Sequence, residues 1–340
     1  MVLQPEFSQP YQIHTVYAEL KLKSRKTPRM YEEVCRMLDV VFVGHFAVDS
    51  IVLPRRSQPY LVLGGAAAYA SLAAAQLGAN VSVITKFGDD FPEDYLSRVK
   101  QAGIDILGVA REENAGTTFY ELRYNKDLSN RKLQLKKRAP PITINDLPES
   151  LEANTIHVAP IAGEITYEVV KRLKPCAPQL SLDIQGLVRE FNGTGEVSLG
   201  SLADREIFDF VDICKLSSEE APAASGLSDL NSAIEMIHDY GVKTVIVTLG
   251  AEGAILSVEG SRCNIPVFKS NRVVDPTGAG DVFIGSFLAE RLRGKDLLWC
   301  ACVGSAAASI VVESVGPESL GGKTEVHRRA SMLYEKGIKR

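Results

Sequence analysis

The chain has 340 residues, of which 45% are hydrophobic and 24% charged, a balance that excludes a disordered chain, a collagen-like fibre and a coiled coil. Its 38 basic and 42 acidic side chains leave a net charge of −4, which argues against general binding to a nucleic-acid backbone. The six cysteines have no CxxC spacing, so we expect reduced thiols in a cytoplasmic protein. No stretch is apolar enough to span a bilayer, so we expect no membrane partner, and the net charge predicts no nucleic-acid partner.

Residues 1–38 differ from the rest of the chain, because they are polar, basic in patches and weakly periodic. We expect them to lie outside the catalytic core. Two explanations stay open: a loosely ordered extension, or translation that begins at Met30 or Met37, just before the first clear strand.

From residue 39 onwards, apolar segments that predict strands alternate with amphipathic segments that predict helices. The predicted strands of this pattern are 40–44, 81–88, 155–160, 180–185, 211–217, 244–250, 254–260 and 264–268. The predicted helices are 64–79, 92–103, 164–174, 205–211, 228–240, 278–293, 296–312 and 324–338. Nearly all-apolar strands that alternate with helices predict an α/β fold whose mostly parallel sheet is covered on both faces.

One region departs from this alternation. In segments 117–124 and 130–138, which flank a polar turn, polar and apolar residues alternate. This pattern is typical of a sheet with one buried and one solvent-exposed face. Together with residues 45–63 they predict a small β-sheet lid, with the basic side chains of 131–138 on its solvated face. A homodimer through the lid is one option for the oligomeric state, since a second copy would shield the edges of this sheet.

The strongest motif is DPTGAGD at 275–281. Its small residues, Gly278, Ala279 and Gly280, let the backbone turn tightly into a helix whose first turn holds Asp281. The free N–H groups and the dipole of a helix start favour an anion, and a carboxylate beside them is placed to accept the proton of an attacking hydroxyl. The alternative is an acidic, glycine-rich helix cap that binds no ligand.

This motif closely resembles the C-terminal signature of the ribokinase-like (PfkB) family of sugar and nucleoside kinases, and the resemblance extends over residues 39–330. It implies a ribokinase-like three-layer sandwich, with 331–340 as the end of the C-terminal helix. It also implies phosphoryl transfer from ATP, with Mg²⁺, to an alcohol. By the same resemblance Asp281 is the catalytic base, residues 278–280 form the anion hole, and Asp275 lies by a monovalent cation such as K⁺.

A second motif combines Asp49 with Gly64 and Gly65. Asp49 follows the first strand, where α/β sheets present ligand-binding groups, and its carboxylate can accept hydrogen bonds from the hydroxyls of a polyol. In the family these positions contact the sugar. Many members carry Asn five residues after the first Gly, whereas this chain has Tyr69. Taken alone, the glycine pair is equally a helix-opening turn.

Two further segments resemble the family's nucleotide site. In 215–221, Glu220 is the acid that orders the water shell of Mg²⁺, although Ser217 stands where Asn is usual. The same Ser-Ser-Glu-Glu run is also a good helix start. Segment 247–256 resembles the family's nucleotide loop, with a β-hairpin turn as its alternative. The predicted nucleotide contacts are Lys215, Ser217, Thr248, Gly250, Gly253, Gly278 and Gly280.

The segment 182–191 supplies further polar groups after a buried strand, and Asp183 and Gln185 are predicted to bind substrate together with Asp49, Gly64, Gly65 and Asp281. With 157–164, it resembles the inositol kinase branch of the family, so the preferred acceptor is a myo-inositol-like polyol. A ribokinase- or fructokinase-like sugar kinase and a nucleoside kinase remain as rivals.

Two readings from other classes also remain. A dinucleotide-dependent oxidoreductase is disfavoured because TGAGDVFIG lacks the GxGxxG pattern and lies far from the first strand. A non-catalytic ligand-binding protein is disfavoured because it would not need the acid at Asp281.

Overall fold

The computed structural model describes residues 37–54, 56–108, 110–128, 130–270 and 272–338. Residues 1–36 of the predicted N-terminal extension lie outside these ranges. Strands of the described part, numbered in chain order, are β1 Leu38–Val43, β2 Ala47–Val52, β3 Tyr60–Gly64, β4 Val81–Ile84, β5 Asp105–Leu107, β6 Thr118–Tyr124, β7 Arg131–Lys137, β8 Ala153–Val158, β9 Gln179–Asp183, β10 Arg189–Phe191, β11 Val197–Leu199, β12 Ile213–Ser217, β13 Thr244–Thr248, β14 Ala254–Val258 and β15 Ser261–Ile265.

The α-helices alternate with these strands and cover the sheet. Numbered in the same way, they are α1 Ala66–Gln76, α2 Glu93–Gln101, α3 Tyr167–Leu173, α4 Glu220–Ser225, α5 Leu230–Asp239, α6 Ala279–Arg291, α7 Leu297–Val311 and α8 Lys323–Ile338. None of these helices has the length and apolarity that crossing a membrane requires. The five cysteines that the structure describes are free thiols.

The central sheet has the strand order β15-β14-β13-β12-β9-β8-β1-β4-β5. Its pairs from β13 to β5 are parallel, and β14 and β15 extend one edge in antiparallel fashion. Strands such as β1 are almost entirely apolar because helices bury both of their faces. The predicted α/β class with a mostly parallel sheet is confirmed.

The edge hairpin corrects one predicted boundary. Glu259 (φ 48°) and Gly260 (φ 86°) form the two-residue turn, so β15 begins at Ser261, three residues before the predicted start at 264. The turn geometry sets the register, and the apolar pattern of 264–268 does not. The predicted helix at 205–211 is a 3₁₀-helix over Arg205–Phe210, a short segment that buries only Ile207 and Phe208.

A separate four-stranded sheet, which we call the small sheet, has the order β3-β2-β6-β7. Its strands come from 45–63 and 117–138, the two regions predicted to form the lid. In β6 the side chains of Tyr120, Leu122 and Tyr124 are buried, while their neighbours are partly or fully exposed. Buried and more solvent-exposed residues therefore alternate along this strand, as predicted.

Close packing of α1 on α6 places the start of α6 at the carboxyl end of the central sheet. Helix α1 consists mostly of buried alanines. A Cβ atom at Gly285 of α6 would lie 2.1 Å from the carbonyl oxygen of Ala70, so the two backbones are in direct contact. Small residues on both helices allow this approach, which brings the DPTGAGD turn beside the first turns of α1.

Candidate active site

A pocket lies where the small sheet faces the carboxyl ends of β8 and β9 and the starts of α1 and α6. Its walls come from seven separate segments of the chain. The lining residues are Asp49, Gly65, Ala66, Tyr69, Tyr120, Leu122, Arg131, Leu133, Ile161, Gln185, Arg189, Thr277, Gly278 and Asp281. The structure thus brings together Asp49, Gly65, Gln185, Gly278 and Asp281 of the predicted site.

The start of α6 forms the floor of the pocket. Gly278 has a φ of 76°, a left-handed conformation that favours glycine, and a Cβ atom there would lie 2.2 Å from the ring of Tyr69. In the part of the chain that the structure describes, the amides of Gly280 and Asp281 donate no hydrogen bond to a protein acceptor. These two amides and the helix dipole are available to an anion.

Asp281 is held in one orientation by a chain of hydrogen bonds. Gln185 Nε2 donates to Asp281 Oδ1 at 3.3 Å, and Arg189 Nη2 donates to Gln185 Oε1 at 2.8 Å. Because Arg189 can only donate, it sets the Gln185 amide so that its N–H faces the carboxylate. Burial raises the pKa of Asp281, and the charge of Lys215 opposes that rise. A buried carboxylate with a raised pKa suits a general base.

Asp183 and Lys215 form a buried ion pair behind this floor. Lys215 Nζ lies 2.7 Å from Asp183 Oδ2, and the Asp183 side chain is fully buried, outside the residues that line the pocket. A Cβ atom at Gly280 would lie 3.0 Å from Lys215 Nζ, so the ammonium group lies against the start of α6. The predicted contact between Asp183 and substrate has no support in this geometry. Its carboxylate instead holds the ammonium group of Lys215 beside the start of α6.

Asp49 projects from β2 into the opposite wall. A Cβ atom at Gly64 would lie 2.3 Å from its carboxyl carbon, so the missing side chain at Gly64 makes room for this carboxylate. Gly65, with a φ of 97°, lines the pocket itself. Burial raises the pKa of Asp49 to about 7, and Arg131 provides the largest opposing effect. In the ligand-free protein this carboxyl therefore gains or loses its proton near neutral pH.

This pKa predicts how stability depends on pH. Between about pH 4 and pH 7 the unfolded chain releases the Asp49 proton while the folded protein keeps it, so the free energy of unfolding falls as pH rises, by an amount on the order of 4 kcal/mol. Asp49→Asn removes this dependence, and we expect it to stabilise the ligand-free protein more at pH 8 than at pH 5. Urea unfolding at both pH values measures the difference. An unchanged pH dependence in Asp49→Asn, compared with the exposed control Asp239→Asn, would contradict the assignment.

A hydrogen-bond chain joins the small sheet to the DPTGAGD turn. Arg131 Nη1 donates to Tyr124 Oη at 2.9 Å. The Tyr124 hydroxyl in turn pairs with Thr277 Oγ1 at 2.9 Å. Thr277 Oγ1 donates to Asp275 Oδ1 at 2.6 Å. Asp275 Oδ2 accepts from the amide of Gly316 at 3.0 Å. Both oxygens of Asp275 thus accept hydrogen bonds within the protein, and its predicted contact with a monovalent cation stays a prediction.

Arg131 corrects the interpretation of the basic run as a wholly solvated face. Arg131 and Leu133 line the pocket, whereas Lys132 and Lys136 are exposed. The alternation of polar and apolar residues in β7 indicates this orientation, because Arg131 lies on the same face of the strand as Leu133 and Leu135. Because successive side chains of a strand point to opposite faces, Arg131 points to the same side as these two leucines.

The small sheet and the loop after β8 give the pocket an apolar wall. It consists of Tyr120, Leu122, Leu133 and Ile161. Tyr120 Oη donates to the carbonyl oxygen of Ile161 at 2.6 Å, which links the sheet to the loop. Sequence reasoning missed these residues, because apolar side chains in a strand are equally expected in the core.

Glu164 fixes the loops on both sides of this wall. Its buried carboxylate accepts hydrogen bonds from the amides of His45, Ile161 and Ala162, at 2.7 to 3.1 Å. The loop after β1 is thereby joined to the loop after β8.

Two of the predicted nucleotide contacts, Ser217 and Thr248, are the last residues of β12 and β13 and pair with each other. Ser217 N donates to Glu220 Oε2 at 2.8 Å, and Glu220 N donates to Ser217 Oγ at 3.2 Å, as in a helix-opening capping box. Gly250 is exposed, with open space where a Cβ would stand. A Cβ atom at Gly253 would lie 2.1 Å from the carbonyl oxygen of Ile265, so this glycine allows β14 and β15 to meet.

Comparison with known sequences covers nearly the whole described chain. Residues 37–321 match the profile of the pfkB family carbohydrate kinases. The cytidine kinase of Thermococcus kodakarensis is 32% identical over 295 residues, which span 84% of this chain and 99% of that one. The inositol 3-kinase of Oryza sativa subsp. japonica is 29% identical over 299 residues, 82% of this chain and 69% of that one.

Solved structures show the same fold. A pyrophosphate-dependent kinase of the ribokinase family, complexed with a pyrophosphate analogue and myo-inositol, has a TM-score of 0.72 at 23% identity, with 83% of this chain and 98% of that chain covered. The nucleoside kinase of Methanocaldococcus jannaschii has a TM-score of 0.68 at 24% identity, with coverage of 87% and 99%. The predicted ribokinase-like fold is confirmed by this similarity.

Proposed function

The chain belongs to the pfkB family of carbohydrate kinases, which are phosphotransferases with a hydroxyl acceptor, and we propose that it transfers the γ-phosphate of ATP to a hydroxyl of a small polyhydroxylated acceptor. One observation carries the proposal. Asp281 lines the pocket that also contains Asp49, and it lies at the start of a helix where the amides of Gly280 and Asp281 donate no hydrogen bond to a described acceptor. This arrangement supports a base at Asp281, an anion site at these amides and a hydroxyl-binding acid at Asp49.

Each step of the proposed phosphoryl transfer has a candidate group in this site. Asp49 accepts hydrogen bonds from acceptor hydroxyls, and Asp281 accepts the proton of the hydroxyl that attacks. The acceptor oxygen forms a bond to the γ-phosphorus as the bond to the bridging oxygen breaks, and the electron pair of that bond leaves with ADP. The amides at the start of α6 and the ammonium group of Lys215 stabilise the negative charge of the phosphoryl group in transit.

Glu220 is the acidic residue that would hold a magnesium ion at this site. Among the described residues no cluster of three or more His, Cys, Asp or Glu side chains is placed to bind a metal directly. Glu220 uses Oε2 to accept from Ser217 N, while Oε1 accepts no hydrogen bond from the described residues. Glu220 would hold Mg²⁺ through water at Oε1, and the ion would neutralise phosphate charge during transfer.

For the acceptor, the pocket favours a nucleoside. Asp49 with Gly65 on one side suits the hydroxyls of a ribose, and the apolar wall of Tyr120, Leu122 and Leu133 suits a flat base. The similarity to the cytidine kinase, over nearly its full length, supports this choice. The inositol-like acceptor preferred from the sequence is the second candidate, supported by the similarity to inositol 3-kinases and by the polar set around Gln185 and Arg189.

A substrate panel tests the function. We expect ADP release, followed with a coupled assay, to depend on a nucleoside such as cytidine, with a kcat/KM at least tenfold above that for myo-inositol, ribose or fructose. The panel is run with ATP and also with pyrophosphate as donor, for which phosphate release is measured instead, because a neighbour in fold is pyrophosphate-dependent. Preference for myo-inositol would establish the second candidate instead. Absence of turnover with every acceptor and donor would contradict the kinase proposal for this chain.

A further inference from the structure

The hairpin of β10 and β11, residues 189–199 and here called the strap, lies beside the edge strand of the small sheet. Strand β7 is the last strand of that sheet, so one row of its backbone groups faces away from β6. The amide of Leu135 in this row donates to the carbonyl oxygen of Gly195 at 2.7 Å. Next to it, Gln134 Nε2 donates to the carbonyl oxygen of Thr194 at 2.6 Å. The tip of the strap is thus joined to the small sheet.

The close approach of the strap to β7 requires glycine at position 195. Gly195 has a φ of 81°, a left-handed conformation, and a Cβ atom there would lie 2.0 Å from the carbonyl oxygen of Leu135. Gly193 lies two residues earlier in the same turn, and no described atom is within 4 Å of the place where its Cβ would stand. A side chain at position 195 therefore separates the strap from β7, whereas a side chain at position 193 does not.

The base of the strap is Arg189, whose guanidinium group donates to two oxygen atoms at the pocket. Its Nη1 donates at 3.0 Å to the carbonyl oxygen of Ile161, which also accepts from Tyr120 Oη of the small sheet at 2.6 Å. Its Nη2 donates to Gln185 Oε1 at 2.8 Å, and Gln185 Nε2 donates to Asp281 Oδ1 at 3.3 Å. One side chain therefore connects the strap with the small sheet and with the carboxylate of the base.

The strap is paired along its length between these two attachments. Backbone pairing of β10 with β11 begins at Arg189 and continues to Phe191, which lies opposite Val197. Phe191 and Val197 pack against the hydrophobic core that includes the buried residues of the small sheet. Hydrogen-bonded and packed elements carry coupling between distant groups, so a displacement of the tip is expected to reach Arg189.

We propose that the strap couples closure of the small sheet over the pocket to the orientation of Asp281, and that Arg189 is the positioning residue in this coupling. The proposal rests on the kinase function proposed above and deepens it, because it states when the base is in place. With the small sheet closed, Arg189 holds the Gln185 amide with its N–H towards Asp281 Oδ1, which leaves Oδ2 for the proton of the acceptor. With the small sheet displaced, the Gln185 amide can rotate and Asp281 is no longer held.

The first test compares Gly195→Ala with the matched control Gly193→Ala. We expect kcat at saturating cytidine, or at saturating myo-inositol if the panel identifies it, to fall about tenfold in Gly195→Ala, because a misplaced carboxylate is a poorer base. In Gly193→Ala kcat should stay within about twofold of the wild-type value. Thermal unfolding is recorded for both variants to show that they are folded. An unchanged kcat in Gly195→Ala would overturn the proposal.

Hydrogen exchange gives a readout that does not depend on activity. Exchange of the backbone amides of 131–137, followed by mass spectrometry, should be faster in Gly195→Ala because the amide of Leu135 loses its acceptor. It should stay as in the wild-type protein in Gly193→Ala. Equal exchange in the two variants would show that the strap does not hold β7, which would also overturn the proposal.

A double-mutant cycle separates positioning from a general loss of structure. Arg189→Met removes the connection between the strap and Gln185, and by itself is expected to lower kcat about tenfold. If the strap acts through Arg189, Gly195→Ala combined with Arg189→Met loses about tenfold in total, instead of the roughly hundredfold that independent losses give. Independent losses would overturn this inference alone. Absence of wild-type turnover would instead count against the proposed function.

Discussion

Asp281→Asn is expected to lower kcat by about 10²- to 10⁴-fold, the range that a positioned general base contributes. Asn has the shape of Asp but cannot accept the proton of the acceptor hydroxyl. The protein should stay folded, because Asp281 is buried with its pKa raised, and a neutral side chain at this place costs less desolvation. Steady-state turnover and thermal unfolding of the same preparation measure both effects.

The pH dependence of kcat gives an independent readout of the same residue. In the wild-type enzyme kcat should fall as pH drops through the pKa of Asp281 in the complex, since the protonated acid cannot act as a base. In Asp281→Asn the remaining rate should lose this acidic limb.

A matched substitution separates catalysis from helix capping. Asp296 is the N-cap of α7, and its carboxylate accepts from the amide of Trp299 at 2.9 Å. It is not among the residues that line the pocket. We expect Asp296→Asn to leave kcat within about twofold and to change stability by less than about 1 kcal/mol, since Asn is also a good N-cap. Wild-type turnover in Asp281→Asn would remove the base from the mechanism.

Lys215→Met is expected to cost about 3–5 kcal/mol of stability, the second large effect. The substitution leaves the fully buried carboxylate of Asp183 without the ammonium group that lies 2.7 Å away. Burial by itself would lower the pKa of a lysine, but the negative charges of Asp183, Asp281 and Glu220 together raise the pKa of Lys215. The ammonium form is therefore the one that the fold requires.

A double variant distinguishes stability from catalysis. Lys215→Met combined with Asp183→Asn removes both charges, while the Asn oxygen can still accept from the amide of Gln185, as Asp183 Oδ1 does at 3.1 Å. We expect most of the lost stability to return but turnover to stay low, because no ammonium group remains beside Gly280. Wild-type kcat/KM in a stable double variant would show that Lys215 has no part in phosphoryl transfer.

The surface pair of Lys174 and Asp212 serves as the control for this cycle. Its ion-pair distance is also 2.7 Å, but the two side chains are 34% and 18% exposed. Because water screens such a pair, Lys174→Met is expected to cost only about 1 kcal/mol or less. A similar loss from both substitutions would mean that burial is not what makes the Asp183–Lys215 pair important.

The sequence alone predicted the parts of the site that depend on local backbone. The glycines and acid of DPTGAGD specify a tight turn and a helix start within seven residues, and the structure has this turn with Asp281 in the first turn of α6. The alternation of apolar strands with helices likewise predicted the parallel sheet. Periodicity and turn chemistry act between neighbours in the chain, so they can be recognised without a fold.

Only the tertiary structure decided which side chains meet. Asp183 is the last residue of a buried strand, a position where ligand-binding residues are expected. Its carboxylate nevertheless pairs with Lys215, which is 32 residues away in sequence. Arg131 looked solvated among other basic residues, but the packing of the small sheet brings it to the pocket beside Asp49. Which side chains of distant segments meet depends on how the layers pack, and patterns between neighbours in the chain do not determine it.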